Sequence, residues 1–455
     1  MNAPVRKIRV ADETVTIGGV LKRVTTFDDL NTRYALLQQA GSPSVYVSRE
    51  DFLPIQDGDL KRRLASEVVV VGEKDGKPIY TSAFKFWTEH ARRHVYRRAA
   101  FTSKAIPDDT INLFRGFGVV PKPGNCDRII SHIREVICSG NETDADAMLK
   151  LLAWQIQNIG EPSRIIVILK SEQQQVGKGV LLDGVMTKIY GQSGFSAAQT
   201  DQILGRFNSK IRGCAFVFLD EVLFSGDRKA ADGIKSLSTA TGTGIEEKGL
   251  PIVQCPVALN FWLASNHENA AFIEEHDARY WALEVSPHRV GDVAYFSTLM
   301  EEINSGGREA FAHYLLNLDV SGFVPFRDVP KNNAVKDKMI RLSINPYDAR
   351  KWLEECCHTG RLIGAMHPDE NRWIEWVEGE SFSFATLRDA YTEWQKSVRS
   401  PVAPKPTPIG NLGEVFGKAG LERSRTKSDR RYALPCVESC LASIWARDRV
   451  QSVKH

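Results

Sequence analysis

A lysine behind a glycine, two adjacent carboxylates, an asparagine and an arginine recur in fixed order between residues 165 and 283 of this 455-residue chain. Gly177-Lys178 closes a loop that begins on the apolar run 165–169. Asp220-Glu221 ends the run 215–219, Ser265-Asn266 ends 261–264, and Arg279 follows in Asp277-Ala278-Arg279-Tyr280. Where a strand runs through a loop into a helix, backbone N–H groups gather at the helix start and attract phosphate oxygens. A lysine at that point can bridge the terminal phosphates of a nucleotide. An aspartate at a strand end can hold a magnesium ion, and a neighbouring glutamate can orient and deprotonate an attacking water. Asn266 could touch the γ-phosphate or that water, although a Ser-Asn pair also makes ordinary turns. Taken singly, Gly177-Lys178 also suits a plain turn with a surface lysine, and Asp220-Glu221 suits helix-capping acids. Their joint order points to an ATPase core that takes ATP and Mg2+.

The candidate phosphate loop, Gln175, Val176, Gly177, Lys178, Gly179 and Val180, departs from the pattern G-x-x-x-x-G-K-[ST]. Glu172 replaces the first glycine and Gly179 replaces the hydroxyl residue. Gln175 occupies a position where such loops often keep a glycine, so this loop must form around bulkier side chains.

These groups need a scaffold that delivers them to one edge. Apolar runs without alternation suit strands buried on both faces, and from 163 to about 316 strands and helices alternate, which predicts a three-layer parallel sheet in an α/β fold. Helical patterns over 126–138 and 143–157 lead into it. Residues 1–125 read as a small α+β module, with paired strands at 34–37 and 44–47 and a helix over 82–98. Asp57-Gly58-Asp59 in that module reads as a turn, and no primer synthesis is expected of it. The core is expected to span 126–325, a helical connector 326–380, and a last domain 381–455, interrupted by the stiff proline-rich linker 400–408.

Composition is ordinary, with 42% hydrophobic and 25% charged residues and a net charge of +3. The chain is therefore neither fibrous nor disordered, and no global field advertises nucleic acid. Basic residues are bunched at 92–98 and 423–431. No apolar run approaches a membrane span, so the expected location is the cytoplasm, with no membrane partner. Eight cysteines without a CxxC set suit free thiols, and Cys356-Cys357-His358 reads as thiols packed on a helix rather than a zinc site.

In motif and order, residues 112 to about 359 resemble the superfamily 3 DNA helicases of phages, plasmids and viruses, including the helicase half of phage primase-helicases. The resemblance is carried by 112–120, 151–157, Gly205-Arg206-Phe207-Asn208, 218–221, Gly244-Ile245-Glu246-Glu247-Lys248-Gly249 and Ala264-Ser265-Asn266. It implies an AAA+-like core that assembles into a ring, usually a hexamer, on single-stranded or forked DNA, with replication proteins as further partners. Lys178 would be the phosphate-loop lysine, Asp220 and Glu221 the metal-binding and catalytic acids, and Asn266 the polar sensor. Arg279 would be the arginine offered to a neighbouring subunit's γ-phosphate, or else an ion-pair partner of Glu275 or Asp277. Gly179 is a known variant in the family, whereas Val180 lacks the hydroxyl usual there. Lys248 would tip a hairpin in the central channel and follow single-strand phosphates. Less specifically, 381–455 is similar to winged-helix domains, with Arg425, Lys427 and Arg430 on a DNA-facing wing. The implied activity is that of an ATP-dependent helicase of a phage or mobile element. The alternative is a relative with a degenerate phosphate loop that binds DNA as an initiator, regulator or scaffold with little turnover.

Overall fold

The computed structural model describes residues 13–220, 228–267, 273–274, 277–343, 347–367, 372–398, 411–425 and 429–445. The chain divides into two compact units, residues 1–343 and 344–455.

In the first unit, Tyr34–Leu37 pairs antiparallel with Val45–Ser48, and a second four-stranded sheet contains Thr14–Ile17, Val20–Val24, Glu67–Lys74 and Lys77–Ser82. The helix expected over 82–98 is shorter, Ala83–Glu89. The β-forming residues Val95 and Tyr96 are drawn instead into a parallel pairing with Leu36 and Leu37, where Leu36 N donates to His94 O at 2.9 Å. Asp57 and Asp59 sit in the first turn of a helix, Asp57–Arg63, which favours acids electrostatically.

The core sheet is built from β1 (Ile166–Lys170), β2 (Gly194–Ala197) and β3 (Phe216–Asp220). A two-stranded hairpin follows, β4 (Gly242–Ile245) with β5 (Val253–Pro256), and then β6 (Asn260–Ser265) and β7 (Tyr280–Glu284). The sheet order is β2-β3-β6-β1-β7, parallel throughout. Ile166, Val167, Ile168 and Leu169 are wholly buried, which explains why β1 is apolar at every position.

The helix Glu142–Gln157 covers this sheet, and Asn141 caps it by accepting from the amides of Thr143 and Asp144. Its buried Gln155 ties two elements together, donating to Ser163 Oγ at 3.1 Å and accepting from Trp262 Nε1 at 3.2 Å. Burying an amide is tolerable only with such partners.

The second unit packs Trp352, Leu387, Tyr391, Phe416 and Tyr432 into one cluster. Cys356 and Cys357 are buried on the helix Ala349–Thr359, which Gly360 ends at a φ of 65°. Strands Ser381–Ser383, Arg430–Ala433 and Glu422–Arg425 form a three-stranded antiparallel sheet. Helices Phe384–Ser397, Leu412–Lys418 and Val437–Ile444 accompany it. Among the described residues, no helix is long and apolar enough to cross a membrane.

Candidate functional site

Register brings the carboxyl ends of β1, β3 and β6 level, with Lys170 opposite Ser265 and Asp220 opposite Ala264. The connection after β1 leads to the far edge strand β2, whereas the one after β6 crosses β1 to reach β7. Open α/β sheets bind ligands at the carboxyl edge where winding reverses in this way.

The loop at residues 171–177 occupies that position. Lys178 is 8% exposed, and its ammonium donates to Ser171 Oγ at 2.8 Å, Ser265 O at 2.8 Å and Asn266 Oδ1 at 2.6 Å. All three partners lie on β1's continuation and on the end of β6, so Lys178 ties the loop to the neighbouring strand. Asn266 Oδ1 also accepts from Ser171 Oγ at 3.0 Å, and the amide N–H2 on the same side chain can only donate. Lys170, also buried, has no hydrogen-bond partner among the described residues and lies 3.8 Å from Glu284 Oε1.

The departures from the usual phosphate loop take definite form. Glu172 is exposed at the surface of the loop, and Gln175 adopts a φ of 59°, the left-handed conformation a glycine would take at no steric cost. Gly177, at a φ of 101°, has no substitute: a Cβ there would meet His132 Cε1 at 2.5 Å and Phe296 Cε1 at 3.1 Å. Val176 is buried, Gly179 is exposed and Val180 opens a π-helical stretch, Val180–Thr187.

Beneath the loop lies His132, 1% exposed, at the start of the π-helical stretch His132–Ile137. Its Nε2 is 3.2 Å from Gly177 O and its Nδ1 is 3.0 Å from the Tyr295 hydroxyl. Burial pushes its pKa down to about 4, so the ring is neutral at physiological pH. Burial likewise raises the Tyr295 phenol to about 12.

Asp220 ends β3 as an exposed carboxylate at the same edge, and Glu221 lies outside the described residues. An exposed carboxylate suits a hard cation that keeps much of its water, and with no hydroxyl at Gly179 or Val180 a magnesium ion would keep more of it.

Arg279 stands at the other end of the sheet. Its carbonyl accepts from Ile166 N, at the start of β1, and its guanidinium is 3.5 Å from Asp277 Oδ2. A five-residue strand is about 16 Å long, so Arg279 does not join Lys178 within one chain.

Lys248 is exposed between β4 and β5, beside Gly249 at a φ of 81°. That hairpin is braced by residues to which the sequence analysis assigned no role of their own. Asn208 donates to Gly244 O at 3.1 Å and accepts from Glu246 N at 2.9 Å. Arg206 pairs with Glu246 at 2.8 Å and Arg212 with Glu247 at 2.9 Å. Phe207 stands next to Asn208, 49% exposed, with the Arg206 guanidinium 5.6 Å from its ring centre. The only signal for the brace was Gly205-Arg206-Phe207-Asn208 itself.

In the second unit, Arg425 and Arg430 are directly opposite each other on adjacent strands, both exposed, while Lys427 lies outside the described residues. Like charges facing across a ribbon are destabilising without an anion between them.

Comparisons with known proteins bear on this geometry. Residues 169–279 match a family of unknown function, DUF5906, a stretch that takes in the phosphate loop, Asp220, the hairpin, Asn266 and Arg279. Across solved structures, an apo structure of the NrS-1 C terminal region aligns with a TM-score of 0.60 at 15% identity, covering 90% of this chain and 97% of that chain. An A form apo structure of the same region gives a TM-score of 0.60 at 16% identity, covering 90% and 98%. A JCV helicase structure aligns at a TM-score of 0.29 and 12% identity over 48% of this chain and 60% of that one, too low to bear on the fold. No curated protein matches in sequence. The chain thus has a mixed α/β fold with a five-stranded parallel sheet, shared over nine-tenths of its length with the NrS-1 C terminal region.

Proposed function

We propose that this chain is an ATP-driven motor of the superfamily 3 helicase type, with an AAA+-like core, coupling Mg-ATP hydrolysis to movement along single-stranded DNA. The observation that carries the reading is the convergence at one sheet edge of a buried Lys178, bonded to Asn266 Oδ1 at 2.6 Å, with Asp220 on the strand beside β6. A buried ammonium is retained where an anion gives it work, and triphosphate oxygens can replace Ser265 O and Ser171 Oγ as its acceptors.

In this reading Lys178 neutralises charge on the transferring phosphoryl group, and Asn266 orients the γ-phosphate or the attacking water with its N–H2. Asp220 would hold a magnesium ion, which would supply further charge neutralisation. Glu221 takes the water's proton. The exposed position of Glu172 lets its carboxylate face solvent rather than the nucleotide. Arg279, at the opposite end of the sheet, can serve a triphosphate only from another copy, which is the reason to expect a ring such as a homo-hexamer.

DNA contact falls to the hairpin, with Lys248 on phosphates and the half-exposed Phe207 as a stacking face for a base. The second unit is read as a winged-helix-like domain, in which Arg425, Lys427 and Arg430 add phosphate contacts outside the motor. Steady-state turnover and strand separation test the reading. Lys248→Ala should keep basal ATP hydrolysis within about twofold while DNA stimulation and unwinding fall by roughly tenfold or more. A variant that unwinds as well as the parent removes the hairpin from the mechanism. DNA binding without turnover by the parent favours the degenerate-loop alternative.

A further inference from the structure

The glycine that the phosphate loop requires also brings it a weakness. Gly177 must lack a side chain, because His132 and Phe296 occupy the space a Cβ would need. A glycine at a φ of 101° leaves the following peptide plane free to rotate. That plane carries the Gly177 carbonyl at one end and the Lys178 amide at the other, pointing in opposite directions. Whatever holds the carbonyl therefore aims the amide.

Three donors hold it. Val180 N at 3.1 Å and Leu181 N at 3.4 Å belong to the helix that follows, and the third is His132 Nε2 at 3.2 Å, from a distant part of the chain. A carbonyl only accepts, so Nε2 carries the proton, and Nδ1 of the neutral ring must accept from the Tyr295 hydroxyl at 3.0 Å. Tyr295 is fixed in turn. Its amide donates to Asp292 Oδ1 at 3.0 Å, and the Arg289 guanidinium lies 4.5 Å from its ring centre. Arg289 pairs with Asp292 at 3.1 Å and with Glu135 at 3.3 Å, one turn along from His132. The Gly177 carbonyl requires the proton on Nε2, and Tyr295, held in place by Asp292 and Arg289, supplies the donor that the other ring nitrogen then needs.

We infer that His132 is a positioning residue of the phosphate loop, donating from Nε2 to the Gly177 carbonyl so that the Lys178 amide stays turned towards the triphosphate. This rests on the reading of the loop as an ATP site. A histidine that merely filled space would need neither a defined tautomer nor a fixed hydroxyl behind it.

The test uses the full chain and Mg-ATP, with KM, kcat and thermal midpoint measured for each variant. His132→Ala should raise KM for ATP about tenfold with kcat changed less, as expected for loss of one hydrogen bond that orients a binding group. His132→Gln, whose amide N–H2 reaches the place of Nε2, should restore most of the affinity. His132→Asn, whose N–H2 falls short near Nδ1, should not. Tyr295→Phe preserves shape while leaving Nδ1 without its donor, and should raise KM a few-fold. Equal KM values for the Ala, Asn and Gln variants, or an unchanged KM in Tyr295→Phe, overturn the inference. A parent that neither binds nor hydrolyses Mg-ATP would sink the ATP-site reading itself, and this inference with it.

Discussion

The phosphate loop and the hairpin place their lysines under opposite constraints. Lys178 is enclosed, donating to Ser171, Ser265 and Asn266, and the loop around it is wedged against His132 and Phe296. Lys248 is exposed, and only the hairpin that carries it is braced, through Asn208, Arg206 and Arg212. On the proposed reading, the first arrangement preorganises a charge for chemistry in a place with little water, where electrostatic effects are largest. The second would let a charge follow a flexible polymer, where reach matters more than position. Substitutions in the loop should therefore cost stability and nucleotide binding together, whereas substitutions at the hairpin should separate DNA coupling from both.

The largest effect is expected at Gly177. Gly177→Ala combines a strained left-handed conformation with a collision against the His132 ring, costing roughly 4 kcal/mol and abolishing nucleotide binding. Urea unfolding with a nucleotide titration checks both, and a stable variant that binds ATP would show the loop to be more plastic than the packing implies. Next comes pH. The folded His132 takes up a proton only near pH 4 while the unfolded residue does so near 6.5, so its contribution to stability is complete above about 6.5 and is lost as pH falls through about 4. The loss across that window is about 3 kcal/mol, and unfolding curves at several pH values should be flatter for His132→Gln. An equal slope in the variant would contradict the buried, neutral histidine.

A smaller effect belongs to the hairpin. Asn208→Ala removes the amide that bonds Gly244 and Glu246, costing about 1–2 kcal/mol. Its DNA-stimulated turnover should fall several-fold more than its basal turnover. If basal and stimulated rates fall alike, the hairpin and the loop are not the separable regions described above.

Much of this division was legible in the residues. Uninterrupted apolar runs announced β1, β3 and β6, and the structure brings the polar groups at their ends to one edge of the sheet. The strand order was not legible, because which buried strands pair is decided by packing between residues far apart in sequence. Gln175 was recognisable as a residue in a glycine's place, and its φ of 59° is the physical form of that substitution. His132 and Tyr295 were invisible: 163 positions apart, neither forms a local pattern, and only the fold brings them together. The helix expected over 82–98 was overextended because Val95 and Tyr96 gain more from the neighbouring strand than from continuing a helix.

The most direct measurement is steady-state ATP hydrolysis by the full chain, with and without single-stranded DNA, for the parent and for Lys178→Ala. If the Lys178 ammonium neutralises the transferring phosphoryl group, its loss should lower turnover by about a hundredfold or more, against a parent whose rate rises with DNA. Hydrolysis unchanged in Lys178→Ala, or absent from the parent under both conditions, would contradict the assignment of this sheet edge as an ATPase site.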